Sequence, residues 1–183
     1  MSLSTIIGDY RAFFAQQITD LKAAGFDLGP LPVSHLAYRT ATKEEYLEKR
    51  DALEAIASAN VENVWRGRPM SKIILKEPAV LNADHSVEMI ELIPPKHLFD
   101  YPMGLEHVGF VIGKTFDNFC EKYKDRFSTN QDHGKYCQPH FVIFESGYAV
   151  KFYRHGLKEV VAMEGRAFDG FYHDEWPNET AAE

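Results

Sequence analysis

Eight histidines stand out in this chain of 183 residues, and two of them sit in matching surroundings. Ser34-His35-Leu36-Ala37-Tyr38 and Glu106-His107-Val108-Gly109-Phe110 share the order histidine, aliphatic, small residue, aromatic, at an offset of 72 positions. Similarity at a fixed offset marks a repeated unit. Glu91 adds a carboxylate amid Met89, Ile90, Leu92 and Ile93, where an ionised group is costly unless paired, coordinated or protonated. Two imidazoles and a carboxylate suit zinc, iron(II), manganese, nickel or cobalt, and the choice among these ions stays open. The plainer alternative is two core histidines bonded to backbone and an ion pair between Glu91 and Lys151. Equivalent places in a repeat, with a carboxylate on the matching face, favour a divalent metal held by His35, Glu91 and His107.

The elements that must position these groups follow from periodicity. Ile6, Ile7, Tyr10, Phe13, Phe14, Ile18 and Leu21 have the spacing of one helical face, which predicts a helix over about 4–24 that stops at Gly25. Gly29-Pro30-Leu31-Pro32 reads as a connector. Each histidine pentapeptide is then followed by a threonine, Thr42 or Thr115, and a helical pattern, and threonine is a good N-cap. Three strand-like runs follow each helix: near 61–67, 71–76 and 86–93 before Pro94-Pro95, and near 132–137, 140–145 and 148–154, with Ser146-Gly147 as a tight turn. Each copy thus reads strand, helix, strand, strand, strand. The expected organisation is one α+β domain over 1–183: an N-terminal helix and connector (1–30), modules over 31–96 and 97–158, and a C-terminal extension (159–183).

Side chains alternate along a strand, so parity assigns faces. Leu36 with Tyr38, and Val108 with Phe110, suit the helix side. His35, Ala37 and Arg39 then share the opposite face, as do His107, Gly109 and Val111, with small residues leaving room beside each imidazole. In the last strands Ile90 with Leu92, and Val150 with Phe152, suit the helix side, so Glu91 and Lys151 face the histidines' way.

The segments "SHLAYR", "MIELIPP" and "EHVGFVI" within about residues 33–155 resemble the vicinal oxygen chelate superfamily, and the added N-terminal helix and overall length look most like its YecM-like branch. The resemblance implies two paired strand-helix-three-strand modules forming a curved mixed-sheet cup, with metal ligands on the first and last strand of each module. Position by position, this implies His35, Glu91 and His107 as ligands and places Lys151 at the fourth position. A protonated lysine has no lone pair to give, so the four-ligand set of glyoxalase I-like members is not reproduced. A two-histidine, one-carboxylate set remains, as in extradiol dioxygenase-like members, though with the carboxylate in the opposite module. The YecM-like branch carries no assigned reaction.

Three ligands leave open positions for two neighbouring oxygens of a substrate, which implies isomerase, lyase or dioxygenase-like oxidoreductase chemistry on a small molecule that could be anionic. In that reading Lys151 and Arg39 hold a substrate anion, and the catalytic candidates are Lys151 as an electrostatic clamp and His140 and Tyr153 as acid–base groups. The alternatives for them are neutralisation of Glu91 by Lys151, a rim ion pair for Arg39, and ordinary packing for His140 and Tyr153. A rival function is a non-catalytic cup of the bleomycin-resistance type that sequesters a small molecule or carries a metal. A structural metal fits less well, since closed zinc sites commonly include cysteine.

Composition bounds the rest. With 45% hydrophobic and 13% aromatic residues the chain can build its own core, and a net charge of -7 with pI near 5.6 argues against phosphate-neutralising nucleic-acid binding; Arg66 and Arg68 are too few. The apolar runs are too short for a membrane span and the start lacks a basic signal region, so a soluble, cytoplasmic protein is expected, as a monomer or homodimer. Cys120 and Cys137 read as reduced packing residues. His85, His97, His133, His155 and His173 read as solvated, Met89 and Met103 as core fillers, and the stretch after His155 as a packed strand or turn before a polar tail that includes Pro177-Asn178-Glu179.

Overall fold

The computed structural model describes residues 2–65, 67–95, 102–131 and 134–176. Arg66, His97, His133 and Pro177-Asn178-Glu179 lie outside the described residues. The N-terminal helix is two helices rather than one: α1 (Leu3–Ile7) and α2 (Tyr10–Ala23). Gly8, at φ 85°, leaves helical geometry, and the Asp9 carboxylate caps α2 by accepting from the Ala12 amide at 3.0 Å. A three-and-four apolar spacing runs straight across such a break, so periodicity does not reveal it.

The first module contains β1 (Val33–Arg39), α3 (Lys43–Glu54), β2 (Ala57–Trp65), β3 (Arg68–Val80) and β4 (Ser86–Ile93). Thr42 caps α3, its hydroxyl accepting from the Glu45 amide at 3.1 Å. The second module contains β5 (Gly104–Val111), α4 (Phe116–Lys122), β6 (Thr129–Asn130), β7 (His140–Ile143) and β8 (Ala149–Tyr153). Thr115 makes no capping bond: it ends a 3-10 turn, Gly113–Thr115, that leads directly into α4. No strand forms over 134–137. The short β6 pairs with β7 instead, and the ladder stops where Gly134 adopts φ 108° and Pro139 has no amide to offer.

These strands and a short C-terminal one, β9 (Phe171–Tyr172), make a single mixed nine-stranded sheet in the order β6-β7-β8-β5-β1-β4-β3-β2-β9. In each module the first strand runs parallel to the last, β1 with β4 and β5 with β8, and the modules join through the antiparallel pair β1–β5. This is the α+β arrangement that the resemblance implies, two strand-helix-three-strand modules paired in one mixed sheet, with an added N-terminal helical segment. The helix face carries the larger core: Leu36, Ile73, Ile90, Leu92, Val108, Phe110, Val150 and Phe152 pack beneath Phe14, Phe26, Tyr46 and Leu53. Phe26 stacks on Tyr123 at 4.7 Å and on Phe152 at 5.4 Å.

The C-terminal stretch departs most from expectation. It forms α5 (Leu157–Met163), then β9 (Phe171–Tyr172), which pairs parallel to β2. Leu157 packs with Ile74, Met89 and Tyr153 on the concave face, with Cys137 and Phe168 beside them. After β9, Trp176 meets Tyr46 on the helix face, ring centroids 5.2 Å apart. The segment therefore straps around the β2 edge from one face of the sheet to the other. Glu62 fastens it: its carboxylate accepts from the Asp174 amide at 2.8 Å and from the Tyr46 hydroxyl at 2.9 Å, and its carbonyl accepts from Arg166. Among the described residues no helix is long and apolar enough to cross a membrane. Both cysteines are free. Met103 is exposed rather than core.

Candidate metal centre

The concave face brings His35, Glu91 and His107 together. One donor atom from each lies within 4.8 Å of the others, and all three residues are buried. The two Nε2 atoms are 3.2 Å apart, and Glu91 Oε2 is 3.6 Å from His35 Nε2 and 3.5 Å from His107 Nε2. The ladder dictates this meeting. Ala37 pairs with His107 on one side and with Glu91 on the other, so a methyl group separates two long side chains that lean over it. Gly109 pairs with His35, and its missing side chain leaves the space that the imidazole fills.

Each histidine is preceded by a bulge. Val33 pairs with Phe110 and His35 with Gly109, so Ser34 is an extra residue on β1; Ala37 pairs with His107 and Tyr38 with Leu105, so Glu106 is the extra residue on β5. A bulge re-aims side chains that alternation would send elsewhere. Both bulged side chains reach the Nδ1 of the next residue: Ser34 Oγ lies 2.9 Å from His35 Nδ1 and Glu106 Oε1 3.1 Å from His107 Nδ1. Ser34 Oγ also accepts from the Leu157 amide at 2.9 Å, at the start of α5, and Glu106 pairs with Arg39. With Nδ1 engaged on the outside, both imidazoles turn Nε2 inward.

The electrostatics follow from burial. Removal from water pushes His35 down to about 3, with Glu91 opposing and the charges of His107, Lys151 and Lys72 adding to the fall, so the ring is neutral. Burial alone would raise Glu91, but the adjoining His107 and His35 and the Lys72 charge outweigh it and hold the carboxyl below its ordinary range. Glu106 is likewise held down to about 2 against burial, chiefly by His107, then by Lys151 and Arg39. Neutral imidazole and ionised carboxylate are the states that bind a metal ion. The geometry also fits one: ligands roughly 2.0–2.2 Å from a shared ion stand about 3.0–3.5 Å from one another.

A family model described as YecM protein matches residues 2–136. The chain belongs to the YecM protein family. That match takes in all three converging residues and both bulges. Among solved structures, the chain is similar to one described as structural genomics protein EC4020, with 20% identity, a TM-score of 0.72, and coverage of 88% of this chain and 92% of that one. It is also similar to a methylmalonyl-CoA epimerase in complex with methylmalonyl-CoA and NH4+, with 11% identity, a TM-score of 0.46, and coverage of 68% and 94%. No curated protein matches.

Around the centre of this YecM-family fold the other candidates separate. Tyr153 lies on the concave face, its ring 5.3 Å from that of His35, and burial raises its hydroxyl well above the ordinary phenol range. Lys151 is in register with Gly109, and its ammonium lies 5.5 Å from the centre of the Phe141 ring; no ion pair joins it to Glu91. Arg39 is committed to Glu106 rather than to a rim. His140 does not face the cup: it pairs with Phe152 and packs against Phe116 and Phe127 on the helix face. His85 is also on that face, its ring 5.1 Å from Phe14.

Sequence reasoning missed three residues. Ser34 and Glu106 were adjacent to the histidines, but a bulge cannot be seen in an alternating pattern. Lys72 is buried and in register with Glu91, one strand farther out; its period-two relation to Ile74 was the available signal. Cys137 is a packing residue, as expected: it lines the cup from the segment before β7, and burial pushes its thiol up to about 11.

Proposed function

We propose that the YecM-family chain holds a divalent metal ion on His35 Nε2, His107 Nε2 and a Glu91 carboxylate oxygen, and uses it on a small substrate with neighbouring oxygens. The observation that carries this reading is the triangle of donors with edges of 3.2, 3.5 and 3.6 Å, closed by two imidazoles whose other nitrogens are already occupied. When bound, the ion supplies a Lewis acid that polarises such oxygens and stabilises negative charge on them, the chemistry of an isomerase, lyase or oxygenase. The chain's own residues set the surroundings. Lys151 and Lys72, each on a strand beside the ligand strands, make the cup positive toward an anionic group. Tyr153 and Leu157 exclude water above His35. The protein acts in the cytoplasm as a single-domain monomer or homodimer in this reading.

Elemental analysis of untagged protein, before and after chelation, tests it. Near-stoichiometric metal that is lost in His107→Ala supports the reading and justifies screening diol, enol and keto-acid substrates. Absence of metal after adding zinc, iron(II) and manganese ends it.

Burial favours a second reading. His35 and His107 are 0% exposed and Glu91 7%, with α5 packed on the same face, so the cup could carry its metal, or a small molecule, without turnover. Bound metal whose rate of exchange is unaffected by any diol, enol or keto acid supports this second reading over catalysis.

A further inference from the structure

The two bulged residues share a place in the repeat but not a chemistry. Ionised Glu106 is an acceptor only, whereas the Ser34 hydroxyl both donates and accepts. On the reading of a metal centre, we propose that both are positioning residues with different tasks: Glu106 locks His107 in one tautomer, while Ser34 lets His35 exchange tautomers as a divalent cation enters.

The argument follows the hydrogen bonds in one direction. His107 Nδ1 must donate to Glu106 Oε1, 3.1 Å away, so with one proton on the ring Nε2 is bare toward the centre. His35 Nε2, 3.2 Å from it, can then make a hydrogen bond only as the donor. His35 Nδ1 is therefore an acceptor, and Ser34 Oγ donates to it across 2.9 Å while accepting from the Leu157 amide. Without a cation the chain of donors runs Leu157, Ser34, His35, His107, Glu106, and the Glu91 carboxylate, 3.6 and 3.5 Å from the two Nε2 atoms, is the negative charge a cation would meet. A cation on both Nε2 atoms changes one link. His35 Nε2 gives its proton to solvent and Nδ1 takes one from solvent, so the ring stays neutral and no net proton is released; the Ser34 hydroxyl hydrogen turns away and Nδ1 now donates to Oγ. A hydroxyl has two lone pairs, so Ser34 keeps its bond from Leu157. A carboxylate at position 34 would forbid the cation-free arrangement, and a hydroxyl at 106 would leave His107 unspecified.

The test is long-range proton–nitrogen NMR of the imidazoles in full-length protein, titrated with zinc, together with zinc affinity by chelator competition. Expected for the wild type is Nδ1–H on His107 throughout, and Nε2–H on His35 converting to Nδ1–H with zinc. Glu106→Gln should mix the His107 tautomers and weaken zinc about 10- to 100-fold. Because Arg39 then loses its carboxylate, R39M/E106Q guards against simple misfolding and should show the same two changes. Ser34→Ala should weaken zinc roughly 2- to 10-fold, with Ser34→Thr restoring both affinity and exchange. An unchanged His107 tautomer in both Glu106 variants overturns the lock, and a His35 tautomer that is the same with and without zinc overturns the exchange. No zinc uptake by the wild type overturns the metal reading and the exchange with it, while the His107 tautomer still decides the role of Glu106.

Discussion

The His35 imidazole occupies the space that a side chain on Gly109 would fill: a Cβ there would stand 2.7 Å from Nδ1 and 3.0 Å from Nε2. Gly109 is in register with His35 across the β1–β5 junction of the two modules, so one hydrogen atom on β5 determines where a ring on β1 can lie. Gly109→Ala should therefore push the imidazole off its position rather than merely crowd a core. The expected cost is about 1–3 kcal/mol of stability from overpacking, with metal affinity down by at least about tenfold. Thermal unfolding and chelator competition measure the two separately. An alanine variant with wild-type affinity would show that the ring position does not matter to the centre.

Alanine in place of His35, Glu91 or His107 is expected to remove metal while the chain stays folded, since the helix-face core that holds the sheet lies on its other side. In the metal-loaded wild type, free ion at one hundred times Kd adds about 2.7 kcal/mol of stability through mass action. That increment should vanish in each variant. Melting curves with and without added zinc give the difference, and full metal occupancy in all three variants would sink the triad.

What could be read from sequence was whatever obeys a regular period. Alternation set Leu36, Ile90, Val108 and Phe152 on the helix face, and by the same counting put His35, Glu91 and His107 on the other, where their donors meet within 4.8 Å. The exceptions to the period were lost. Ser34 and Glu106 are bulges, which slip the count by one and swing both side chains onto the histidines. His140 needed the register between β7 and β8, which depends on the turn between them and not on either strand's own pattern. In α5 only Leu157, Val160 and Val161 are buried, within seven residues, too short for a helical period to separate from a strand. Nothing in that stretch announces that it crosses the β2 edge, because its partners, Glu62, Asn63 and Glu54, lie about a hundred residues earlier.

Glu62 is 0% exposed and serves both the first module and the strap: Tyr46, Ser71 and the Asp174 amide all donate to its carboxylate, with Arg50 at 3.4 Å. Glu62→Ala leaves those donors without their acceptor, and a cost of about 3 kcal/mol or more is expected. The loss should concentrate in the strap. Amide hydrogen exchange over 157–176 should quicken far more than exchange in β1 and β5. Uniform acceleration across the sheet would mean that Glu62 supports the module as a whole and does not specifically fasten its C-terminal segment.

Lys151 occupies the last-strand position of the second module that corresponds to Glu91 in the first, and its charge reaches His35 and Glu106. It is half-buried, and its ammonium lies near the Phe141 ring without a carboxylate partner within 4 Å among the described residues. A positive charge there opposes a cation at the centre, and a negative one assists it. Lys151→Met should tighten metal binding, and Lys151→Glu should tighten it further, by at least about tenfold in all, since unit charges even roughly 10 Å apart interact by on the order of 1–2 kcal/mol at an effective dielectric near 20. The ordering glutamate, methionine, lysine is the diagnostic, because packing changes alone would not rank the three by charge. If chelator competition finds the same affinity for all three, the charge at position 151 plays no part at the centre.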